Sequence, residues 1–203
     1  MQITLTNTGK RYNREWIFRH FDYAFLPGNA YAITGPNGSG KSTLLQVIAG
    51  AIMQTEGKIE YRNTQQGIDP SLVHKHLSFS APYLELIEEM TATELLHFHS
   101  TFKSLVKPIP EILRLVSLET AAHKQTRYFS SGMKQRLKLA QAFFSNSSVL
   151  LLDEPTTNLD EDGISLYKQL IKNYTSDRMV IVSSNDRQEY DFCGKVISIV
   201  DYK

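Results

Sequence analysis

The segment 35–43 holds the residues with the clearest chemical potential, in the order GPNGSGKST. Its spacing, Gly-x-x-x-x-Gly-Lys-Ser, matches the complete phosphate-binding loop (P-loop) pattern. Glycines at these positions let backbone N–H groups turn inward around a phosphate, and the following helix adds its positive end. We therefore expect Lys41 to reach the β- and γ-phosphates of a nucleotide and the Ser42 hydroxyl to ligate Mg²⁺. The expected nucleotide contacts are Gly35, Pro36, Asn37, Gly38, Ser39, Gly40, Lys41, Ser42 and Thr43. The alternative is a glycine-rich turn that holds no ligand.

An acidic pair, Asp153 and Glu154, follows the apolar run Val149 to Leu152, which we interpret as a buried strand. A carboxylate at the carboxyl end of a strand beside a P-loop is placed to hold Mg²⁺, through water. We assign this role to Asp153. The alternative is a solvated acidic pair at a strand end, but the P-loop and the adjacent Pro155 favour the metal site.

The segment 129–160 indicates the class of nucleotide-binding protein to which the chain is similar. It has the sequence FSSGMKQRLKLAQAFFSNSSVLLLDEPTTNLD, and together with the P-loop it resembles the ATP-binding cassette (ABC) ATPases, the engine subunits of ABC transporters. The resemblance extends from Tyr12 to about Asp186, with the motifs in family order. It implies that Glu154 polarises the attacking water and acts as the general base, with ATP and Mg²⁺ as cofactors.

The run Ser130 to Arg136 resembles the ABC signature motif. The resemblance implies that Ser130 and Gly132 grip the γ-phosphate of ATP bound to the opposite subunit. A hydroxyl and free N–H groups at the start of a helix form an anion site, which suits this role. Ser131 replaces a glycine and Met133 a glutamine, which we consider mild changes. A plain serine helix cap is the alternative.

Two further positions enter through the resemblance alone. Asn158-Leu159-Asp160 resembles the D-loop, which crosses the dimer interface, so Asp160 is a candidate contact of the ATP site. Tyr12 lies upstream of Lys41 about where the family stacks an aromatic ring on adenine. Trp16 competes for this role, and a core position is the alternative for either ring.

The sequence departs from the family at two places. The segment 77–83, LSFSAPY, has no glutamine where the family contacts Mg²⁺ and the attacking water, and Gln65 and Gln66 lie too early to serve. Asn185, followed by Asp186, stands where the family has a histidine that contacts the γ-phosphate. Asparagine donates a hydrogen bond but neither accepts a proton nor carries charge. We predict that hydrolysis is slower than in a typical member, or differently coupled.

Alternating strand and helix patterns position these residues. We predict an α/β fold: a P-loop NTPase core with a mostly parallel sheet, an N-terminal antiparallel β layer and an inserted small helical lobe. The expected division is one ABC ATPase domain over 1–203, with a core lobe at about 1–79 and 128–203 and a helical lobe at about 80–127. Within that lobe, Thr91 and Glu94 form a capping box before a helix.

Several element boundaries follow from local signals. Strands are expected at Ala30 to Thr34 and Met179 to Ser183, and GKIEY at 57–61 suggests an edge strand. Helices are expected at Met133 to Phe144 and, after a break at Pro108 and Pro110, at Glu111 to Leu118.

Composition excludes several classes of protein. The 203 residues carry a net charge of +1, so no overall field favours nucleic acid. One cysteine, Cys193, excludes an internal disulfide. No apolar run reaches the about 20 residues of a membrane span, and the amino terminus lacks a signal-peptide pattern. We expect a cytoplasmic protein that reaches the inner face of the membrane only through a partner. The pairs His74/His76 and His97/His99 lack a third metal ligand and are interpreted as surface residues.

The sequence supports one function best and leaves two others open. The first is the ATP-binding subunit of an ABC transporter, in which two copies sandwich two ATP molecules and drive a separately encoded transmembrane permease. The segment 80–102 is then the expected docking surface. The second is an ATP-dependent conformational switch with little turnover, favoured by the missing glutamine and by Asn185. An ABC protein that acts on DNA or ribosomes is weaker, because the chain has no long coiled-coil insertion and only one cassette.

Overall fold

The computed structural model describes residues 1–63 and 66–203, so Gln65 lies outside the described residues. The chain forms two compact units: residues 1–79, 147–153 and 177–203 make up the first, and residues 80–146 and 154–176 the second. The second unit therefore includes the segments 128–146 and 154–176, which we expected in the core lobe. The division into a core lobe and a helical lobe stays a prediction.

The elements alternate as the sequence predicted. The strands are β1 (Gln2–Tyr12), β2 (Glu15–Phe25), β3 (Ala30–Thr34), β4 (Glu56–Arg62), β5 (Gly67–Ile68), β6 (Leu77–Ser80), β7 (Val149–Asp153), β8 (Met179–Ser183) and β9 (Lys195–Ser198). The α-helices are α1 (Lys41–Ile48), α2 (Ala92–Phe102), α3 (Ile109–Leu115), α4 (Ser131–Phe144), α5 (Glu161–Tyr174) and α6 (Arg187–Tyr190). Short 3-10 helices cover Pro70–Lys75, Glu119–Ala121, Thr126–Tyr128 and Ile199–Tyr202.

A parallel sheet positions Asp153 and the P-loop, the residues expected to bind Mg²⁺ and phosphate. Its strand order is β6-β7-β8-β3-β9, and β7 with β8, β8 with β3, and β3 with β9 all pair in parallel. Every residue of β7 and β8 is buried, which explains their unbroken apolar runs. In register, Asp153 lies beside Ser183, and Ser183 lies beside Ile33. The carboxyl ends of β7, β8 and β3 therefore meet at one edge, directly before the P-loop.

A separate antiparallel sheet has the order β2-β1-β4-β5. It confirms the predicted N-terminal layer, but β4 is not an edge strand because Tyr61 and Arg62 pair with the two residues of β5. A two-residue strand has no sequence signature of its own. Apolar residues of both sheets and of α1 form one buried core, so α1 packs on the sheets directly after the P-loop.

The core of the first unit is rich in fully buried aromatic and aliphatic side chains. Each such side chain contributes about 1.5–3 kcal/mol of transfer free energy relative to exposure. The largest are Phe18, Phe21, Phe25, Tyr31, Leu44 and Leu45.

The second unit is helical and begins its first helix as predicted. The N–H of Glu94 donates to Thr91 Oγ1 at 3.2 Å and the Thr91 N–H donates to Glu94 Oε2 at 2.8 Å, which completes the capping box. The next helix, α3, starts earlier than predicted, at Ile109, with Pro108 as its N-cap. Pro110 does not break it, because the first turn of a helix has N–H groups without intrahelical partners and tolerates proline.

The interpretation of the four histidines as surface residues is wrong for His76 and His99, which are both partly buried. His99 Nε2 lies 2.7 Å from Ser145 Oγ, and burial lowers the pKa of His99. Within residues 1–63 and 66–203, no group of histidine, cysteine or carboxylate side chains is arranged to hold a metal ion by itself. The helices in that same part of the chain are all too short or too polar to cross a membrane.

Candidate functional site

The P-loop connects β3 to α1, and its backbone strongly favours glycine at Gly35 and Gly40. Gly40 has a φ of 102°, in the region that favours glycine, and a Cβ there would collide with Ile17 Cγ2. At Gly35, with a φ of 145°, a Cβ would lie 2.9 Å from both Ile199 Cγ2 and Ser39 Oγ. Gly40 also precedes α1 without any side-chain cap, so the first N–H groups of this helix remain available to an anion.

Lys41 projects its ammonium group into the curve of this loop. The residue is only 4% exposed, and Nζ donates to the carbonyl oxygens of Gly35 at 2.8 Å and Pro36 at 3.3 Å. The loop is closed by a turn in which Ser39 N–H donates to Pro36 O at 3.0 Å. A buried cation beside uncapped N–H groups is suited to phosphate oxygens.

Asp153 supplies a buried carboxylate at the same edge of the parallel sheet. It is 1% exposed, and neither carboxylate oxygen has a hydrogen-bond partner among the residues that the structure describes. Burial of an uncompensated carboxylate is costly, so the arrangement calls for a cation. Carboxylate and hydroxyl oxygens are the ligands that Mg²⁺ prefers, and Asp153 together with the partly exposed Ser42 fits that ion.

Glu154 has an unusual backbone conformation. Its φ is 41°, in the left-handed region that non-glycine residues rarely adopt, and its carbonyl accepts from the Thr157 N–H at 3.2 Å. Such strain costs of the order of 1–3 kcal/mol and clusters at functional sites. The side chain is partly exposed, and within the described part of the chain its carboxylate is not engaged by another group.

The signature segment opens α4 in the second unit. Ser130 is the N-cap, with Oγ accepting from the Met133 N–H at 3.2 Å, and both Ser130 and Ser131 are exposed. A Cβ on Gly132 would lie 3.1 Å from the carbonyl oxygen of Asn158. One helical turn later, the buried Gln135 donates from Nε2 to the carbonyl of Pro155 at 2.8 Å. The signature helix is therefore attached to the turn that follows Glu154.

Comparison with known proteins decides the family. The ABC transporter family model matches residues 18–157. This chain belongs to the ABC transporter family. It is 31% identical over 208 residues to an uncharacterized ABC transporter ATP-binding protein, YybJ of Bacillus subtilis, covering 98% of this chain and 89% of the relative. It is 28% identical over 209 residues to the lantibiotic transport ATP-binding protein SrtF of Streptococcus pyogenes, covering 98% and 86%.

Solved structures agree on the fold. The ATP-binding cassette MJ0796, in a dimeric post-hydrolysis state bound to ADP and Pi, is 24% identical and matches with a TM-score of 0.84 over 97% of this chain and 94% of that chain. The predicted α/β fold is thereby confirmed, and the family model and the curated relatives confirm the predicted ABC ATP-binding subunit.

Asn185 contacts the P-loop directly. Its Oδ1 accepts from the Gly35 N–H at 3.3 Å, and its Nδ2 donates to Asn37 Oδ1 at 2.9 Å. The sequence places Asn185 and the P-loop far apart in the chain, but the parallel pairing of β8 with β3 brings them together.

Asp160 is held by its own unit. One carboxylate oxygen accepts from the Gly163 N–H and from Arg136 Nη2, both at 2.9 Å, so that Asp160 caps α5 and pairs with the signature helix. These bonds, the backbone bond first, lower the pKa of the Asp160 carboxyl. The assignment of Asp160 to a D-loop and its contact with a nucleotide stay predictions.

The two candidate adenine-stacking rings differ in their surroundings. Tyr12 is 47% exposed at the end of β1, with Lys10 Nζ 4.8 Å from its ring centroid. Trp16 lies between two guanidinium groups, with Arg11 Cζ at 5.2 Å and Arg19 Cζ at 4.3 Å from its ring centroid. Tyr12 is thus the more accessible ring, although its stacking on adenine also stays a prediction.

Three features of the two units were not foreseen from the sequence. The side chain of Asn37 occupies a position where the P-loop pattern allows any residue, so no local signal indicates its contact with Asn185. The Gln135–Pro155 bond joins residues far apart in sequence. Ser183 is fully buried beside Asp153, and its Oγ has no hydrogen-bond partner within residues 1–63 and 66–203.

Proposed function

We propose that this chain is the ATP-hydrolysing subunit of an ABC transporter, powering a separately encoded permease through ATP-driven dimerisation. The observation that carries the proposal is that two buried side chains of opposite charge lie at the carboxyl ends of the parallel strands. Lys41 offers a buried cation, and Asp153 offers a buried carboxylate whose oxygens lack partners in the described chain. A nucleotide phosphate with its Mg²⁺ satisfies both.

Lys41 would bind the β- and γ-phosphates, and the N–H groups of the loop and of the first turn of α1 would surround them. Ser42 and Asp153 would hold Mg²⁺, which neutralises charge on the transferred phosphate. Glu154 would polarise the attacking water as the general base, and Asn185 would donate to the γ-phosphate. With an amide in place of an imidazole, we infer slow turnover.

A second cassette would complete each ATP site. Ser130 and Gly132 lie at an exposed helix start, where a hydroxyl and N–H groups suit the γ-phosphate of ATP held by another copy. The dimeric state of MJ0796 bound to ADP and Pi supports this arrangement. We infer a homodimer in the cytoplasm, peripheral at the inner face of the membrane, without nucleic acid.

The permease would dock on the helical unit. Large apolar side chains are exposed there, including Tyr83 at 47%, Leu84 at 37%, Ile87 at 41% and Phe102 at 73%. Large exposed apolar side chains, where they are contiguous, mark sites of protein interaction, so these residues are the candidates for the contact. The membrane would be reached only through this partner.

Asp153→Asn tests the metal part of the proposal. The amide keeps the size of the side chain but removes the negative charge that would hold Mg²⁺, so hydrolysis should fall by about 10²-fold or more. Mn²⁺ titration followed by electron paramagnetic resonance, with a non-hydrolysable ATP analogue present, should show weaker metal binding. Asp191→Asn, at an exposed position, is the matched control. Parental metal affinity in Asp153→Asn would contradict the assignment.

Asn185→Ala tests the role of the amide. A single preorganised donor contributes about 10²–10³-fold, so ATP hydrolysis should fall markedly, whereas Asn185→His should preserve or raise it. Steady-state phosphate release measures both variants. Parental turnover by Asn185→Ala would remove this position from catalysis and favour the conformational switch with little turnover.

A further inference from the structure

We propose that Asn37 is a positioning residue that orients the Asn185 amide toward the γ-phosphate, an inference that rests on the proposed ATPase function. Asn37 lies in the P-loop and Asn185 follows β8, and both belong to the first unit. Their side chains are joined by the 2.9 Å bond from Asn185 Nδ2 to Asn37 Oδ1.

The orientation of the Asn185 amide is determined by chemistry. A backbone N–H only donates, so the atom that accepts from Gly35 at 3.3 Å must be the amide oxygen. The nitrogen then faces the opposite way, where Asn37 presents its own oxygen. If either amide were flipped, two donors or two acceptors would face each other. A single backbone donor thus determines which end of each amide is the oxygen and which is the nitrogen.

The backbone on either side of Asn185 is also held. Ser184 is 1% exposed and its N–H donates to the carbonyl of Ile33 at 3.1 Å. On the other side of Asn185, the Asp186 N–H donates to Ser184 Oγ at 2.9 Å. The Asp186 side chain caps α6 by accepting from the Gln188 N–H at 2.9 Å. Hydrogen bonds therefore hold the main chain on both sides of Asn185, and the Asn185 side chain can still rotate.

Asn37 removes that freedom while leaving one donor. The amide nitrogen carries two hydrogens, and one of them is used by Asn37. The second has no acceptor among the residues that the structure describes, and it is held beside the loop that would cradle the phosphates. A preorganised donor stabilises developing charge without reorganisation, which is where its catalytic value lies. Asn37 would therefore act on the rate of hydrolysis through Asn185.

A double-mutant cycle distinguishes this role from a merely structural one. The parental chain, Asn37→Ala, Asn185→Ala and the double variant are compared by single-turnover hydrolysis, and ATP affinity is measured by calorimetry. Asn63→Ala, an exposed asparagine outside the P-loop, is the matched control. One neutral hydrogen bond corresponds to about a 3- to 10-fold change, so Asn37→Ala should lower kcat by that factor. The nucleotide contact expected of Asn37 is made by its backbone N–H, which alanine keeps, so ATP affinity should change less than about 2-fold. Asn37→Ala should cause no further loss when Asn185 is already alanine.

Three results would overturn the positioning role alone: parental kcat in Asn37→Ala, an equal fold-loss in both backgrounds, or a loss confined to ATP affinity. The last would mean that Asn37 stabilises the loop rather than the amide. Failure of the parental chain to bind and hydrolyse MgATP would instead overturn the proposed function, and this inference with it.

Discussion

Lys41→Ala is expected to abolish tight MgATP binding. The ammonium group is buried within the P-loop and would face the β- and γ-phosphates. Hydrogen bonds to charged groups contribute about 1.5–3 kcal/mol each, so loss of two such bonds should weaken binding by at least about 100-fold. Isothermal titration calorimetry with ATP and Mg²⁺ measures the change directly.

Lys58→Ala is the matched control for this experiment. Lys58 belongs to the same unit, but its side chain is 71% exposed and pairs with Glu60 at 2.6 Å on the antiparallel sheet. The Lys58→Ala variant should bind MgATP as tightly as the parental chain. Thermal unfolding of both variants separates a lost contact from a lost fold. Unchanged ATP affinity in a folded Lys41→Ala variant would contradict the assignment of the P-loop as the phosphate-binding site.

Glu154→Gln should stop hydrolysis while leaving ATP binding intact. Glutamine keeps the shape of the side chain and faces the same strain at a φ of 41°, but it cannot accept a proton. General-base assistance is typically worth about 10²–10⁴-fold, so turnover should fall by that factor. Because the bound ATP then persists, the chain should be trapped as a closed dimer, visible by size-exclusion chromatography with light scattering.

Glu119→Gln provides the control, since Glu119 is an exposed carboxylate at the start of a short 3-10 helix in the same unit. It should hydrolyse ATP at the parental rate and remain in the parental monomer–dimer equilibrium. If Glu154→Gln also hydrolysed ATP at the parental rate, another group would be the base. If it lost turnover but stayed monomeric with ATP, the dimerisation part of the proposed function would be wrong.

Local patterns predicted the elements well where one element decides its own boundaries. The strands Ala30–Thr34 and Met179–Ser183 and the capping box of Thr91 and Glu94 are observed as expected. Apolar runs, caps and glycine turns are local properties, so the sequence specifies them. The start of α3 at Ile109 and the pairing of β4 with β5 were missed. The first depends on the position of a proline within the turn, and the second on a partner strand too short to be recognised.

The sequence by itself determined the kind of chemistry. Three motifs identify a phosphate-binding ABC cassette: the P-loop spacing, the acidic pair after an apolar run, and the signature segment. Each can be recognised in the sequence because its residues are close together along the chain. The tertiary structure alone decided which distant groups meet. Parallel pairing of β7, β8 and β3 brings Asp153, Ser183 and the P-loop to one edge. The same pairing places Asn185 against Gly35 and Asn37, a contact that no sequence pattern records because it joins the ends of two strands.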